Sequence, residues 1–365
     1  MSLLTDYLSD PACVRAWQPR EWNRFLPLLR ESRLMTRALC LAEAADLIDA
    51  VPARIVDQMI GARAQTRYVQ VQAMRELGHV LRALQHDGIR VAALKGIAYR
   101  VADLPLAQWR GLSDIDLLID RADLARAEAL LLRSGWVVNG EFDDYDQRYY
   151  REWMHEVPPL RHAARETEVD LHHNLSPPVS RVRIDATALW REVVDVDGPG
   201  GLPVGVLSDC DMLLHNAVHL FMNDELRGGL RDVMDFRDLY MHFGALDAGF
   251  ERRLLDRAET LQCGLPLYYA VDTAQRLVAL APGKVMVDGL SRHRPSPFPR
   301  LAMRWLIDHA LAPDRTALRT TALANWLLFV RSHWIRMPKG MLLRHLLRKT
   351  MKRRAPVSTI QETPG

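Results

Sequence analysis

Asp114 and Asp116 stand two residues apart in Gly111-Leu112-Ser113-Asp114-Ile115-Asp116-Leu117-Leu118-Ile119-Asp120. The run reads as a β-strand, so both carboxylates point to one face while Ile115, Leu117 and Ile119 point to the other, toward a core. Two like charges side by side on one face repel, and a divalent cation relieves that repulsion. All-oxygen donors favour Mg²⁺ or Mn²⁺ over zinc. Upstream, Leu94-Lys95-Gly96 reads as the end of a short apolar strand followed by a cation and a glycine. That order suggests phosphate handling beside a metal. A third carboxylate, Asp170, lies in Glu168-Val169-Asp170-Leu171-His172, which alternates as another strand.

Periodicity supplies the elements that must position these groups. Apolar residues at helical spacing run through residues 1–88: Leu28, Leu29 and Leu34 after Pro27, then Leu39, Leu41 and Leu47, then Val69, Met74, Leu77 and Leu81. Gly88 suits the left-handed position past a helix end. The pattern then predicts a strand over 89–94, a helix over 97–104 ended by Pro105, a loop to Arg110 and a strand over 114–119. Asp120 reads as the N-cap of a helix carrying Leu124, Ala127, Leu130 and Leu131 that stops at Ser134-Gly135. Trp136-Val137-Val138 opens another extended segment, and the acidic, tyrosine-rich stretch 141–150 reads as loop. Residues 155–160 and 168–172 read as the strands of a hairpin joined by 161–167. Asp197-Gly198-Pro199-Gly200-Gly201 is the clearest break in the chain and reads as a boundary. Helical spacing returns from Ser208, with a proline-rich loop at 295–299. The expected parts are an N-terminal helical region (1–88), an α/β core (89–197), a C-terminal helical domain (202–354) and a disordered tail (355–365).

The bulk properties narrow the class. A 365-residue chain that is 48% hydrophobic and 25% charged has the balance of a globular protein with a large core. A net charge of +3 is too mild an excess to argue for nucleic acid. Cys13, Cys40, Cys210 and Cys263 form no CxxC pair, which argues against structural zinc and a disulfide framework. The amino terminus lacks a basic, then apolar, leader pattern, and no apolar run is long enough to span a bilayer, so a reducing cytoplasm is the expected setting.

At this point the chain resembles the nucleotidyltransferase superfamily that shares the DNA polymerase β palm. Within it, the chain is similar to an uncharacterised bacterial nucleotidyltransferase family with the pattern LKG followed by R-x-x-[GS]-D-I-D-L-L. Here the pattern is Leu94-Lys95-Gly96 and Arg110-Gly111-Leu112-Ser113-Asp114-Ile115-Asp116-Leu117-Leu118. Val169-Asp170-Leu171-His172 fits the family's later acidic strand, and His215, His219 and Asp235 resemble its spaced histidines and aspartate. The resemblance covers roughly residues 70–245. It implies an α+β fold: a polymerase-β-like mixed sheet with flanking helices, plus N-terminal and C-terminal helical regions. Better-known superfamily members carry Gly-Ser before a short spacer to the paired aspartates. Here Ile97 stands in the serine position and the spacer is longer, so a hydroxyl that would touch phosphate is missing.

Nucleotidyl transfer needs an attacking oxygen, an α-phosphorus and a pyrophosphate leaving group in line, with metal ions clamping both oxygens. Asp114 and Asp116 are the expected metal ligands. Asp170 is expected to join them and to accept the acceptor's proton. Backbone N–H groups after Gly96, with Ser113 nearby, could cradle phosphates. Lys95 or Arg110 could neutralise the leaving pyrophosphate. The plain alternatives are a solvated strand end for the aspartate pair, a salt bridge from Lys95 to Asp103 or Asp114, and a loop arginine facing water.

His172 shares Asp170's strand face and is expected to orient it. His215 and His219, four apart, share a helix face, but Asn216 follows His215, so the HExxH glutamate is absent. A buried network of these histidines with Asp235, tying two helices together, competes with a face that closes over nucleotide or acceptor. Over 326–354, Trp326, Phe329, Trp334 and leucines alternate with Arg331, Arg336, Arg344, Arg348 and Lys352, interrupted at Pro338. That pattern fits a terminal helix packed on the helical domain with a solvated basic face. A peripheral surface for an anionic membrane or an acidic partner is the alternative.

The sequence therefore predicts a Mg²⁺- or Mn²⁺-dependent nucleotidyltransferase. It would move an NMP from an NTP such as ATP to an unidentified hydroxyl or phosphate acceptor and release pyrophosphate. A non-catalytic nucleotide- or partner-binding protein that retains the fold is the alternative, and a small-molecule phosphotransferase a weaker one. His172-His173-Asn174 superficially resembles a kinase loop but lacks its aspartate.

Overall fold

The computed structural model describes residues 2–165, 167–223, 226, 228–311, 318–338 and 340. Its centre is a seven-stranded mixed sheet of β1 (Val91–Ala93), β2 (Asp114–Ile119), β3 (Trp136–Val138), β4 (Leu160–His162), β5 (Glu168–His172), β6 (Val194–Asp197) and β7 (Pro203–Val206), in the order β3-β4-β5-β2-β1-β7-β6. The inner strand β2 pairs antiparallel with β1 and parallel with β5. In the β2–β5 register Asp116 lies opposite Asp170 and Leu118 opposite His172. Ile115, Leu117, Leu118 and Ile119 are all buried, so both faces of β2 are covered and only its first residues reach the surface.

Helices enclose the sheet. The N-terminal region contains α1 (Leu3–Ser9), α2 (Pro19–Glu31), α3 (Met35–Ala44) and α4 (Ala53–Gln85). At 33 residues, α4 runs roughly 50 Å and packs on β2, α6 and the start of α5. Its Gln70 donates to the carbonyls of Ala107 (2.6 Å) and Arg110 (2.9 Å), fixing the loop that leads into β2. Helix α5 (Lys95–Val101) follows β1, and α6 (Leu124–Arg133) follows β2. The short helices α7 (Asp144–Arg148) and α8 (Ala186–Glu192) precede α9 (Asp209–Val218), α10 (Leu230–Leu246), α11 (Phe250–Thr260), α12 (Gly264–Val278), α13 (Lys284–Leu290), α14 (Pro297–Leu311) and α15 (Leu318–Arg336). Arg37 of α3 donates to Asp238 of α10 at 2.7 Å, so the N-terminal and C-terminal helical regions meet directly.

The expected α+β class and the flanking helical regions hold, and several details differ for physical reasons. Pro27 lies inside α2, whose start at Gln18-Pro19 is fixed by Glu21 accepting from the Gln18 N–H at 2.8 Å. Asp120 caps no helix: it accepts from Ala122 N–H in a turn, and α6 begins after Asp123. The strand expected over 155–160 shrinks to β4, because Pro158 and Pro159 cannot donate to a ladder. The stretch 141–150 holds the short helix α7, capped by Asp143. The glycine-rich 198–201 segment is the turn of the β6–β7 hairpin, and β7 pairs parallel with β1. The sheet thus continues past the expected boundary at 197. Pro297 opens α14 instead of lying in a loop.

Along α15, Arg331 is not on a solvated face. It donates to the Phe221 carbonyl at 2.6 Å and sits over the Tyr269 ring. Leu328 is buried, while Trp326 and Trp334 face outward. Residues 341–365, which carry the rest of the basic run, lie outside the described residues. No described helix is long and apolar enough to cross a membrane.

Leu117 is fully buried where β2 meets β1 and β5. Leu117→Ala should lower stability by about 2–5 kcal/mol, read from equilibrium urea unfolding as a drop in midpoint with an unchanged slope.

Candidate active site

The site is built where β1 turns into α5 beside β2. Leu94 is extended, and its N–H donates to the Asp116 carbonyl at 2.9 Å. The next residue, Lys95, adopts φ +49°, a left-handed conformation that carries a steric cost for any residue with a Cβ. The turn delivers the Lys95 ammonium onto β2, with Nζ 2.7 Å from Asp116 Oδ1. The unusual backbone therefore falls on the lysine and not on Gly96. Gly96 packs closely: a Cβ there would stand 2.5 Å from Leu112 Cδ2, so that side chain would have to move.

Asp116 is only 2% exposed, so its charge must be balanced locally. Burial opposes ionisation, yet Lys95 and His172 hold the carboxyl far below the usual carboxylate range. His172 Nε2 lies 2.9 Å from Asp116 Oδ1, and its Nδ1 lies 3.3 Å from Glu156 Oε2. Burial disfavours a charged imidazole, but those two carboxylates raise His172 above the ordinary histidine range. The sequence reading had His172 orienting Asp170; its hydrogen bond is to Asp116. His173 turns away and meets the Met154 carbonyl. Burial keeps His155 and His215 neutral, their pKa values falling well below the ordinary range.

Asp170 faces the same cluster. Burial, and then the neighbouring Asp116 charge, push it up to about 7. Ligand atoms of Asp116, Asp170 and His172 lie within 4.8 Å of one another, and Asp114 sits half-buried two residues before Asp116, accepting from Ser113 Oγ at 2.9 Å. This concentration of carboxylates, one of them unable to ionise comfortably, fits a divalent cation.

Arg110 is committed elsewhere. Its guanidinium donates to Asp235 through Nε, to Asp232 at 3.0 Å and to the Gly111 carbonyl at 2.6 Å, all with 7% exposure. Burial raises Asp235 and disfavours ionisation of Asp232, but Arg231 and Arg110 hold Asp232 below the usual carboxylate range. Asp235 is engaged by this arginine clamp, which ties the loop before β2 to α10. His215 and His219 face a cavity of about 1000 Å³. Its walls also include Lys95, Gly96, Arg110, Ser113, Asp114, Asp116 and Asp235, with Glu31, Arg33, Arg231, Asp232, Thr321 and Asn325 among the rest. Asp170 and His172 stand behind Asp116 and are not among the wall residues.

Arg33, His155 and Glu156 are among the contributors that residue spacing does not single out. Arg33 comes from the N-terminal region, some 60 residues before Lys95, with no local signal. His155 and Glu156 sat in a segment read as plain strand, although a His-Glu pair before a strand that ends in His-His was a visible clue.

A mixed sheet carrying paired aspartates on an inner strand, a third on the neighbouring strand and a cavity lined by charges of both signs is the frame of a nucleotidyltransferase. The sequence model of the family described as uncharacterised nucleotidyltransferase matches residues 18–279, well over half of the chain, and the chain belongs to that family. No curated protein matches it.

Asp116→Asn leaves Lys95 and His172 beside a neutral amide. The variant should lose about 2–4 kcal/mol of stability, toward the lower end because Lys95 is partly exposed. The His172 pKa, followed by NMR, should fall. His172's folded value is raised, so its contribution is fully present below about pH 6.5 and disappears as pH rises through that folded value. The stability gap between wild type and Asp116→Asn should therefore narrow on going from pH 6 to pH 9 in metal-free buffer.

Proposed function

We propose that this chain transfers a nucleoside monophosphate from an NTP to a hydroxyl or phosphate acceptor, using Asp114, Asp116 and Asp170 as the ligands of one or two Mg²⁺ or Mn²⁺ ions. The observation that supports this reading is the register of β2 and β5, which sets Asp170 opposite Asp116, and Asp116 in turn lines a nucleotide-sized cavity. When bound, the ions polarise the α-phosphate, stabilise charge on the attacking and leaving oxygens and keep Asp170 ionised. Asp170 accepts the proton of the acceptor hydroxyl at its carboxylate. Lys95, whose ammonium sits on Asp116 at the cavity wall, would supply its charge to the β- and γ-phosphates. Arg33 and Arg231 offer further cations on the cavity wall, while Arg110 acts through Asp232 and Asp235 to hold that wall in place. Gly96 lets Leu112 pack closely on the start of α5, and both residues line the cavity.

One observation favours a second reading. Lys95 already balances Asp116, which is what a non-catalytic nucleotide-binding member of the fold would need.

The test is an acceptor screen with Mg²⁺ and each NTP, scored for pyrophosphate. Pyrophosphate release that falls at least about 10³-fold in Asp170→Asn supports transfer of the nucleotidyl group. Release of nucleoside diphosphate identifies a phosphotransferase, and NTP binding without turnover supports the non-catalytic reading. Arg33→Ala should raise the KM for NTP by about tenfold, equivalent to roughly 1.4 kcal/mol, with little change in kcat.

A further inference from the structure

We propose that His155, Glu156 and His172 form a second metal site, distinct from the three aspartates, that takes a borderline transition ion of the Zn²⁺ type on the Nδ1 side of His172. One ligand atom from each of the three side chains lies within 4.8 Å of the others. The His172 Nδ1 to Glu156 Oε2 separation is 3.3 Å. Two ligands about 2.0–2.2 Å from a tetrahedral zinc stand about 3.4 Å apart, so that pair already has the spacing of a coordination edge.

His155 supplies an independent observation. It is 9% exposed, and its Nδ1 is buried with no hydrogen-bond partner. A buried, unsatisfied ring nitrogen is costly, and an ion coordinated at it would remove that cost. The backbone holds the three ligands in place: His173 N–H donates to the His155 carbonyl at 2.8 Å, Val157 N–H donates to the Leu171 carbonyl at 3.0 Å, and Glu156 bridges to His172. Glu156 keeps its side chain a quarter exposed, which gives an ion a way in.

The surroundings of His172 fit the same assignment. A metal-bound histidine normally gives its other ring N–H to a carboxylate, which fixes the tautomer and ring orientation. His172 Nε2 does this with Asp116 at 2.9 Å. Two imidazoles and one carboxylate form a catalytic-type zinc set with an open fourth position. The mixed nitrogen and oxygen donors set it apart from the oxygen-rich Asp114–Asp116–Asp170 group, which suits Mg²⁺. An ion here would lock His172 as a donor to Asp116 and so fix the orientation of that aspartate. The site stands whether or not the cavity turns over a nucleotide.

The experiment uses the full-length chain, stripped with a chelator and titrated with Zn²⁺ against a chromophoric competitor, with Co²⁺ absorption as a second readout. One Zn²⁺ per chain at micromolar affinity or tighter is expected, with tetrahedral or five-coordinate Co²⁺ bands. His155→Ala and Glu156→Gln should each weaken Zn²⁺ binding about 100-fold and bleach the Co²⁺ spectrum. Asp114→Asn should leave both within threefold. Near-UV circular dichroism confirms folding, and the partly exposed Glu156→Gln keeps the test decisive should His155→Ala fail to fold. No stoichiometric Zn²⁺, or binding lost in Asp114→Asn and kept in Glu156→Gln, would overturn the proposal.

Discussion

A carboxylate buried on the inner strand of a sheet has to be neutralised, and the fold around β2 is arranged to meet that need at Asp116. With 2% exposure, Asp116 is met at one carboxylate oxygen, Oδ1, by both the Lys95 ammonium and His172 Nε2. Lys95 can reach it only because the chain turns through a left-handed residue directly after β1. His172 can reach it only because β5 pairs parallel with β2 in one register. A shift of one residue in that register would carry both Asp170 and His172 to the opposite face of the sheet. The same constraint explains the tension at Asp170, where a third carboxylate faces a site whose existing cations are already engaged.

The helical regions do more than cover the sheet. Gln70 on α4 holds the loop before Arg110, and Arg110 grips Asp232 and Asp235 on α10. Segments far apart in sequence thus converge on the first residues of β2, and the cavity is walled by Glu31–Arg33, α9, α10, α14 and α15 together. A buried arginine between two carboxylates contributes specificity of arrangement more than net stability. The result is a polar wall with fixed charges opposite the aspartates, suited to an anionic ligand that brings its own cations.

Much of this was legible in the chain because local rules apply where local forces dominate. The strand 114–119 was read with its observed bounds, since the Ile-Leu-Ile alternation and the preceding loop agree. The third carboxylate was placed on the correct neighbouring strand by its Val169 and Leu171 pattern. What escaped was long-range. Which acid Lys95 would choose depends on the register of β1 and β2, which side-chain types do not encode, and the choice fell on Asp116 instead of Asp103 or Asp114. Asp235 is gripped by Arg110, 125 residues earlier, a pairing that no local spacing announces. The glycines at 198–201 were read as a boundary because composition alone cannot separate a linker from a hairpin turn, and only the pairing of β7 with β1 decides it.

The central claim is that Asp114, Asp116 and Asp170 hold a metal and Lys95 supplies its charge to the phosphates when nucleotide is bound. A crystal structure with Mg²⁺ and a non-hydrolysable NTP tests this most directly. The expected result is an ion held by Asp114 and Asp116 with Asp170 reaching it, and the Lys95 ammonium on phosphate oxygens. A nucleotide bound with the Lys95–Asp116 pair intact and no ion on the aspartates would contradict it.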